Sequence, residues 1–297
     1  MNQKKESAEV KKYYDSVARM YGMRYDPKNL YNLDLKYPAN YFRLGLLLKS
    51  FTAHSMKKLI EVGVGEGTPL TMLGKTGIDV YGFDISDAMV AMAKKAMKRN
   101  KMDPEKILKA DIEDPVSYSD FYREAPYDGL IAFGVMPHVQ SVEKSLQNMA
   151  SLLRTGGVAY IEFRNQLFSL FTFNSYTKEF ILEELLAGVD EKIRSKVGAA
   201  LEGILPKTAV QTAGKKGGPT YQNIRAKFHN PFLMESLFAQ AGFRKIRLLW
   251  YHHHPAMPFL EPSMRESFRS EAIQMEKTVQ DWRSHFLCSA FVVEAVK

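Results

Sequence analysis

Residues 59–67 read Leu-Ile-Glu-Val-Gly-Val-Gly-Glu-Gly, an apolar run that meets an acid and then three glycines at alternate positions. The β-branched and aliphatic start predicts a buried strand, and the glycines predict a loop in which backbone passes close to a ligand without interposed Cβ atoms. Seventeen residues after Gly67, Val-Tyr-Gly-Phe-Asp ends a second short apolar run on Asp84. A carboxylate there is suited to accept hydrogen bonds from two ribose hydroxyls. Gly63, Gly65, Gly67 and Asp84 together imply a nucleoside cofactor.

The ordinary dinucleotide fingerprint is G-x-G-x-x-G, but Thr68 stands where its last glycine belongs and Glu61 precedes the loop. Downstream, Ser86 or Asp87 is placed to cap a helix in which Met89, Met92, Ala93 and Ala96 recur at helical spacing. Lys-Ile-Leu-Lys-Ala-Asp111-Ile112-Glu follows, then Tyr-Asp-Gly-Leu-Ile-Ala-Phe133-Gly134-Val-Met-Pro-His138, then Leu-Leu-Arg-Thr-Gly156-Gly157-Val-Ala-Tyr-Ile-Glu-Phe. The last of these reads as a helix end, a turn and a fifth strand. Acid-x-G-x-G-x-G with these four segments in order resembles the class I S-adenosylmethionine (SAM) dependent methyltransferases, across residues 59–164.

That resemblance implies an α/β fold: a Rossmann-like, doubly wound, seven-stranded sheet with its last strand antiparallel. It also implies roles. Glu61, Gly63, Gly65, Gly67, Asp84 and the adjacent Ile85 would form the cofactor loop and ribose contact. Asp111 would hold the adenine amino group and Ile112 the purine face. Phe133 and Gly134 would lie between sulfonium and acceptor. A doubly wound reductase using a nicotinamide cofactor is the alternative for the glycine loop alone.

Four segments follow from this reading: an N-terminal helical cover (1–58), the SAM-binding core (59–164), an acceptor lid insertion (165–230) and the C-terminal part of the core sheet (231–297). In the cover, Tyr-Tyr-Asp and Ala-Arg-Met-Tyr resemble the opening of many small-molecule methyltransferases, which makes Tyr14 and Tyr21 candidate contacts over the cofactor. Arg43 has two readings, a partner for the SAM carboxylate or an anchor for its own helix. The lid leaves the fifth strand at its carboxyl end, where open α/β sheets build their pockets. It is rich in phenylalanine, is expected to hold two amphipathic helical stretches, and ends in a basic run from Leu205 to His229 with no Asp or Glu. Such a run favours an anionic acceptor. A dimerisation role for the insertion, and so a homodimer, is the other reading.

Methyl transfer to a hydroxyl needs alignment, dehydration and removal of a proton. Histidine is the usual base near neutral pH, and His138, just beyond the fourth strand, is the expected catalytic base. Arg164, Asn165, His229 and His253 are expected to contact the acceptor. Metal binding is not expected: the adjacent residues His252 to His254 alternate across a strand and lack Cys or carboxylate companions at ligand spacing.

The chain has 297 residues with 41 basic and 33 acidic side chains, a net charge of +8. The basic residues are dispersed and no nucleic-acid motif accompanies them, so a nucleic acid partner is not expected. An Asn/Asp-Pro-Pro-Tyr/Phe motif, which would indicate base methylation, is replaced by Gly-Val-Met-Pro-His. No apolar run approaches the ~20 residues that span a bilayer, and the basic start lacks the apolar core of a secretory signal. The single cysteine, Cys288, allows no intrachain disulfide and sits in an apolar strand. A cytoplasmic enzyme methylating a hydroxyl of a small polar acceptor, a sugar or specialised metabolite, is the resulting expectation. An N-methyltransferase or nucleic-acid base methyltransferase, and a non-catalytic SAM-binding protein, remain as alternatives.

Overall fold

The computed structural model describes residues 25–51, 54, 56–205 and 227–297. Its seven strands are β1 (Lys58–Val62), β2 (Asp79–Asp84), β3 (Ile107–Lys109), β4 (Tyr127–Ala132), β5 (Leu153–Arg164), β6 (Arg244–His253) and β7 (Cys288–Val296). They form one sheet in the order β3-β2-β1-β4-β5-β7-β6. β1 to β5 pair in parallel, whereas β7 runs antiparallel to both β5 and β6. The strand order reverses between β1 and β4, and ligands of open α/β sheets bind outside the carboxyl ends at such a switch point.

β1 and β4 are apolar runs buried on both faces, as expected for strands covered by helices on either side. Alternate residues serve opposite layers. Ile60, Leu130, Ile161 and Phe163 pack with Leu146 and Met149 on one face. Leu59, Ile131, Val158 and Tyr160 pack with Leu44, Leu47, Leu70 and Met97 on the other. β6 is the edge strand, and its exposed Arg244, Lys245 and Arg247 discourage pairing with another chain. Cys288 is fully buried and its thiol is pushed well up by burial, which makes it a packed side chain.

Helix α1 (Ala39–Phe51) precedes β1, α2 (Thr68–Gly74) follows it, and α3 (Asp87–Arg99) follows β2. Ser86 rather than Asp87 caps α3, its hydroxyl accepting the Met89 N–H at 3.2 Å. After β5 come two short helices, Ser169–Thr172 and Ser175–Glu179. The second runs into a wider-turned segment, Phe180–Leu185, where the sequence predicts amphipathic α-helix; Leu186 N donates to Ile181 O across five residues. Helix α4 (Glu191–Ile204) covers the other predicted stretch.

The segment before α1 is strapped to helix α5 (Arg265–Thr278). Arg269, 4% exposed, donates to the carbonyls of Leu30, Asn32 and Leu35, and Arg265 donates to that of Leu33. Tyr37 OH donates to Glu276 at 2.9 Å, and its ring stacks on His252 at 4.9 Å.

Candidate active site

The loop after β1 is braced by Asp84. One carboxylate oxygen accepts the Gly65 N–H and the other the Ser86 N–H, both at 2.9 Å, while the N–H groups of Gly63 and Val64 donate to Phe83 O. The three glycines share left-handed φ values of +72°, +55° and +85° but not one reason. A Cβ at Gly63 would collide with Val135, and one at Gly67 would press on Ala93 at 3.2 Å. Only Gly65 faces open space. Close approach to a ligand therefore applies to Gly65. Gly67 lies outside the cleft wall, and its lack of a Cβ serves packing between α2 and α3.

Outside the carboxyl ends of β1, β2, β3 and β4 lies an open cleft. Glu61, Gly63, Gly65, Asp84, Ile85, Asp111, Ile112, Phe133, Gly134, His138 and Arg43 all line it. The wall also includes Tyr25, Glu66, Met89, Glu113 and Gln140, which sequence reasoning did not assign to the site. Met89 reads as core and is 1% exposed, so the periodicity that marks it as buried hides its second role. Glu66 sits between two of the loop glycines, which was a usable signal.

This wall carries five carboxylates and one guanidinium. Glu61 is 1% exposed, and its Oε2 has no partner among the described residues. Burial pushes its carboxyl well up; Arg43 opposes this, and the charges of Glu66 and Asp84 add to it. Burial raises Glu66 and Asp111 as well. A cationic ligand relieves this crowding of negative charge, and the sulfonium and ammonium of SAM are such groups. Asp84 keeps further lone pairs for ribose hydroxyls beside the two backbone bonds. Ile85 and Ile112 supply apolar surface for a purine. The residues fit the cofactor.

The wall at the end of β4 is held from outside the loop. Gly134, at φ +73°, donates its N–H to Glu162 on β5 at 2.7 Å. The same carboxylate pairs with Arg43 and accepts from Tyr251 OH. Arg43 also donates to Tyr25 OH at 3.2 Å, and its guanidinium lies 4.5 Å over the Phe133 ring. Arg43 thus anchors α1 to the sheet, the second of its two readings, and also lines the cleft. Past Gly134, His138 is pushed down to about 4 by burial and the Arg164 charge, against the opposing pull of Glu162. Lys227 is tied beside it, its N donating to Pro137 O at 2.9 Å and its Nζ to Gln140 O.

The four expected acceptor contacts do not line this cleft, and three have other work. Asn165 is fully buried and joins segments, its Nδ2 donating to His285 O and Cys288 O at 2.7 Å and its Oδ1 accepting from Leu167 N. His253 is 1% exposed, with Nδ1 3.3 Å from Glu276 and Nε2 3.3 Å from Ser284. His229 forms an isolated bridge with Asn165 and meets the Phe163 ring edge-on at 4.9 Å. Arg164 ends β5 near enough to His138 and His252 to lower both. His252 and His254 do not line the cleft: His252 stacks on Tyr37, and His254 packs at a tilt against Phe168 with centroids 4.5 Å apart. Tyr14, Tyr21 and most of the basic run after Leu205 lie outside the described residues. Among the described residues no group of three or more His, Cys, Asp or Glu is arranged to hold a metal.

Residues 60–161 match the methyltransferase domain family. Among curated proteins, the chain is 26% identical over 153 residues to a demethylmenaquinone methyltransferase of Tropheryma whipplei, covering 52% of this chain and 58% of that one. It is 22% identical over 214 residues to a ubiquinone biosynthesis O-methyltransferase of Aliivibrio fischeri, covering 71% and 85%. The chain thus spans little more than half the length of the first of these relatives. Among solved structures, magnesium protoporphyrin IX methyltransferase from Synechocystis PCC 6803 with bound S-adenosylhomocysteine aligns with a TM-score of 0.50 and 15% identity, covering 97% of this chain and 98% of that one. A SAM-dependent methyltransferase from Thermotoga maritima aligns with a TM-score of 0.50 and 13% identity, covering 96% and 98%. At these identities the two structures speak to the fold. Sheet order, braced glycine loop and acidic cleft agree with the domain match: residues 60–161 form a SAM-dependent methyltransferase domain of class I fold.

Proposed function

We propose that the protein transfers the methyl group of SAM to a hydroxyl of a small polar acceptor, with His138 as the base. The observation that carries this reading is the placement of His138 on the β4 exit loop, lining the same cleft as Glu61, Asp84 and Asp111. SAM supplies an electrophilic methyl on a cationic sulfur. The chain's residues bind and orient it: Asp84 at the ribose, Asp111 and Ile112 at the adenine, and Glu61 near the ammonium. In the transfer a C–O bond forms as the C–S bond breaks, and the hydroxyl proton passes to the imidazole of His138.

The chemistry of the imidazole narrows the acceptor. Held down to about 4, it is neutral at physiological pH and a weak base. A phenolic hydroxyl is a far stronger acid than an aliphatic alcohol, so it gives its proton to a weak base more readily. An acidic hydroxyl, phenolic or enolic, suits this site better than a sugar hydroxyl. The similarity to a ubiquinone biosynthesis O-methyltransferase supports an O-methyl product.

The test pairs binding with transfer. S-adenosylhomocysteine is expected to bind in calorimetry and NADH not. Labelled methyl from SAM should pass to catechols and phenols before aliphatic alcohols or amines. His138→Ala should keep the affinity for S-adenosylhomocysteine and lower kcat about 10²-fold or more. Transfer to amines alone, or unchanged turnover in the variant, would overturn the reading.

A further inference from the structure

Glu162 reads from sequence as an ordinary strand residue, yet three donors from three separate elements converge on its carboxylate. They are Arg43 of α1, the Gly134 N–H after β4 and the Tyr251 hydroxyl of β6. Two of these donors, Arg43 and Gly134, line the cleft, whereas Glu162 and Tyr251 lie behind it. We infer that Glu162 is a positioning residue for the methyl-transfer site, holding the β4 exit loop and the amino-terminal cover in register with the bound cofactor. The inference rests on the methyltransferase reading and goes beyond it to a residue that does not face the ligand.

Several observations carry it. Gly134 sits at φ +73°, so the chain makes an unusual turn between Phe133 and the segment leading to His138, and the Glu162 bond holds the amide of that turn. Arg43, paired with the same carboxylate, covers the Phe133 ring and reaches Tyr25. One buried acid therefore sets the mutual position of cover and loop, whose residues Tyr25, Arg43, Phe133 and Gly134 share the cleft wall. Burial and the Glu162 charge push the Tyr251 phenol well up, so it stays protonated and donates. A buried ion pair is weak as a device for stability, because apolar side chains of similar volume often stabilise as much. What the carboxylate offers instead is acceptor sites in fixed directions.

Glutamine at this position tests the inference, since it keeps the shape but offers one acceptor oxygen to three donors and turns an amide donor toward the rest. Glu162→Gln is expected to weaken S-adenosylhomocysteine binding about tenfold and to move the Gly134 amide resonance upfield in a ¹H–¹⁵N spectrum. Tyr251→Phe removes a donor that does not line the cleft and is expected to weaken binding about threefold, because the carboxylate loses one of its guides. If both variants bind like the wild type with the Gly134 resonance unmoved, Glu162 is only a structural pin and the inference fails, whatever happens to the melting temperature. Should Glu162→Gln not fold, Tyr251→Phe decides, and unchanged affinity overturns the inference. A wild-type protein that does not bind S-adenosylhomocysteine would instead refute the cofactor reading beneath it.

Discussion

Glu61 stands at the base of the cleft with an oxygen that nothing described satisfies, and burial together with Glu66 and Asp84 works against its ionisation. Such a group favours the ligand-bound state at the expense of the free one. Glu61→Gln removes the cost of burying an ionisable carboxyl, so the ligand-free protein should melt a few degrees higher, on the order of 1 kcal/mol more stable. The same variant should bind S-adenosylhomocysteine about tenfold more weakly, through loss of a charge-assisted bond. Thermal melts with and without the ligand check both, and a variant that is neither more stable nor weaker in binding removes Glu61 from the site. Glu61, Asp84 and Asp111 were legible as cleft-lining residues because each stands at or near the end of a strand within a contiguous motif. Glu162 was not, because its three partners lie 119, 28 and 89 residues away in the chain.

At the scale of elements, the clearest device is the strap between α5 and residues 30–35. Arg269 is buried and gives its guanidinium to three backbone carbonyls, which fixes the cover that carries Tyr25 and Tyr37. Arg269→Ala leaves those carbonyls without their donor and should cost about 3 kcal/mol. Because the strap fixes one segment, the variant should become sensitive to protease between residues 25 and 38 before the sheet is affected, which limited digestion and mass spectrometry can read. Global unfolding without selective cleavage would show that the strap serves the whole core. Nothing in the local sequence around Arg269 announces this role, because its acceptors are backbone carbonyls and those carry no side-chain signature. Helix α4, in contrast, follows from amphipathic spacing, whereas the segment Phe180–Leu185 turns more widely than that spacing predicts.

Across the whole molecule, four histidines are held neutral by burial. His138, His229 and His252 are each pushed down to about 4, and His254, whose ring nitrogens have no partner among the described residues, lies well below its ordinary value. A depressed folded-state value means that the unfolded chain binds protons first. The stability these groups contribute is complete above their ordinary value of 6.5 and is lost as the pH falls from there toward the folded value. By pH 5 each such histidine has cost about 2 kcal/mol. The raised carboxyls Glu61, Glu66 and Asp111 act in the opposite sense, contributing less as the pH rises. With histidines in the majority, urea unfolding should give a lower stability at pH 5 than at pH 7.5. His254→Leu should flatten that dependence by about 2 kcal/mol; an unchanged slope would mean that this imidazole does not remain neutral on folding.

By itself the sequence determined the order of strands and helices, the class of cofactor and the loop and strand-end residues that line the cleft. Those features are local: an apolar run sets a strand, a glycine permits a left-handed turn, and an acid at a strand end meets whatever lies outside the sheet. Only the tertiary structure decided which distant groups meet. It turned Asn165 and His253 inward to buried partners because neighbouring residues on a strand face opposite sides and the receiving groups come from helix α5 and the segment before β7. It brought Arg43, Gly134 and Tyr251 to Glu162 for the same reason: strand pairing places β5 beside β4 and β7, and the position of a buried carboxylate is set by the donors that surround it, not by its neighbours in the chain.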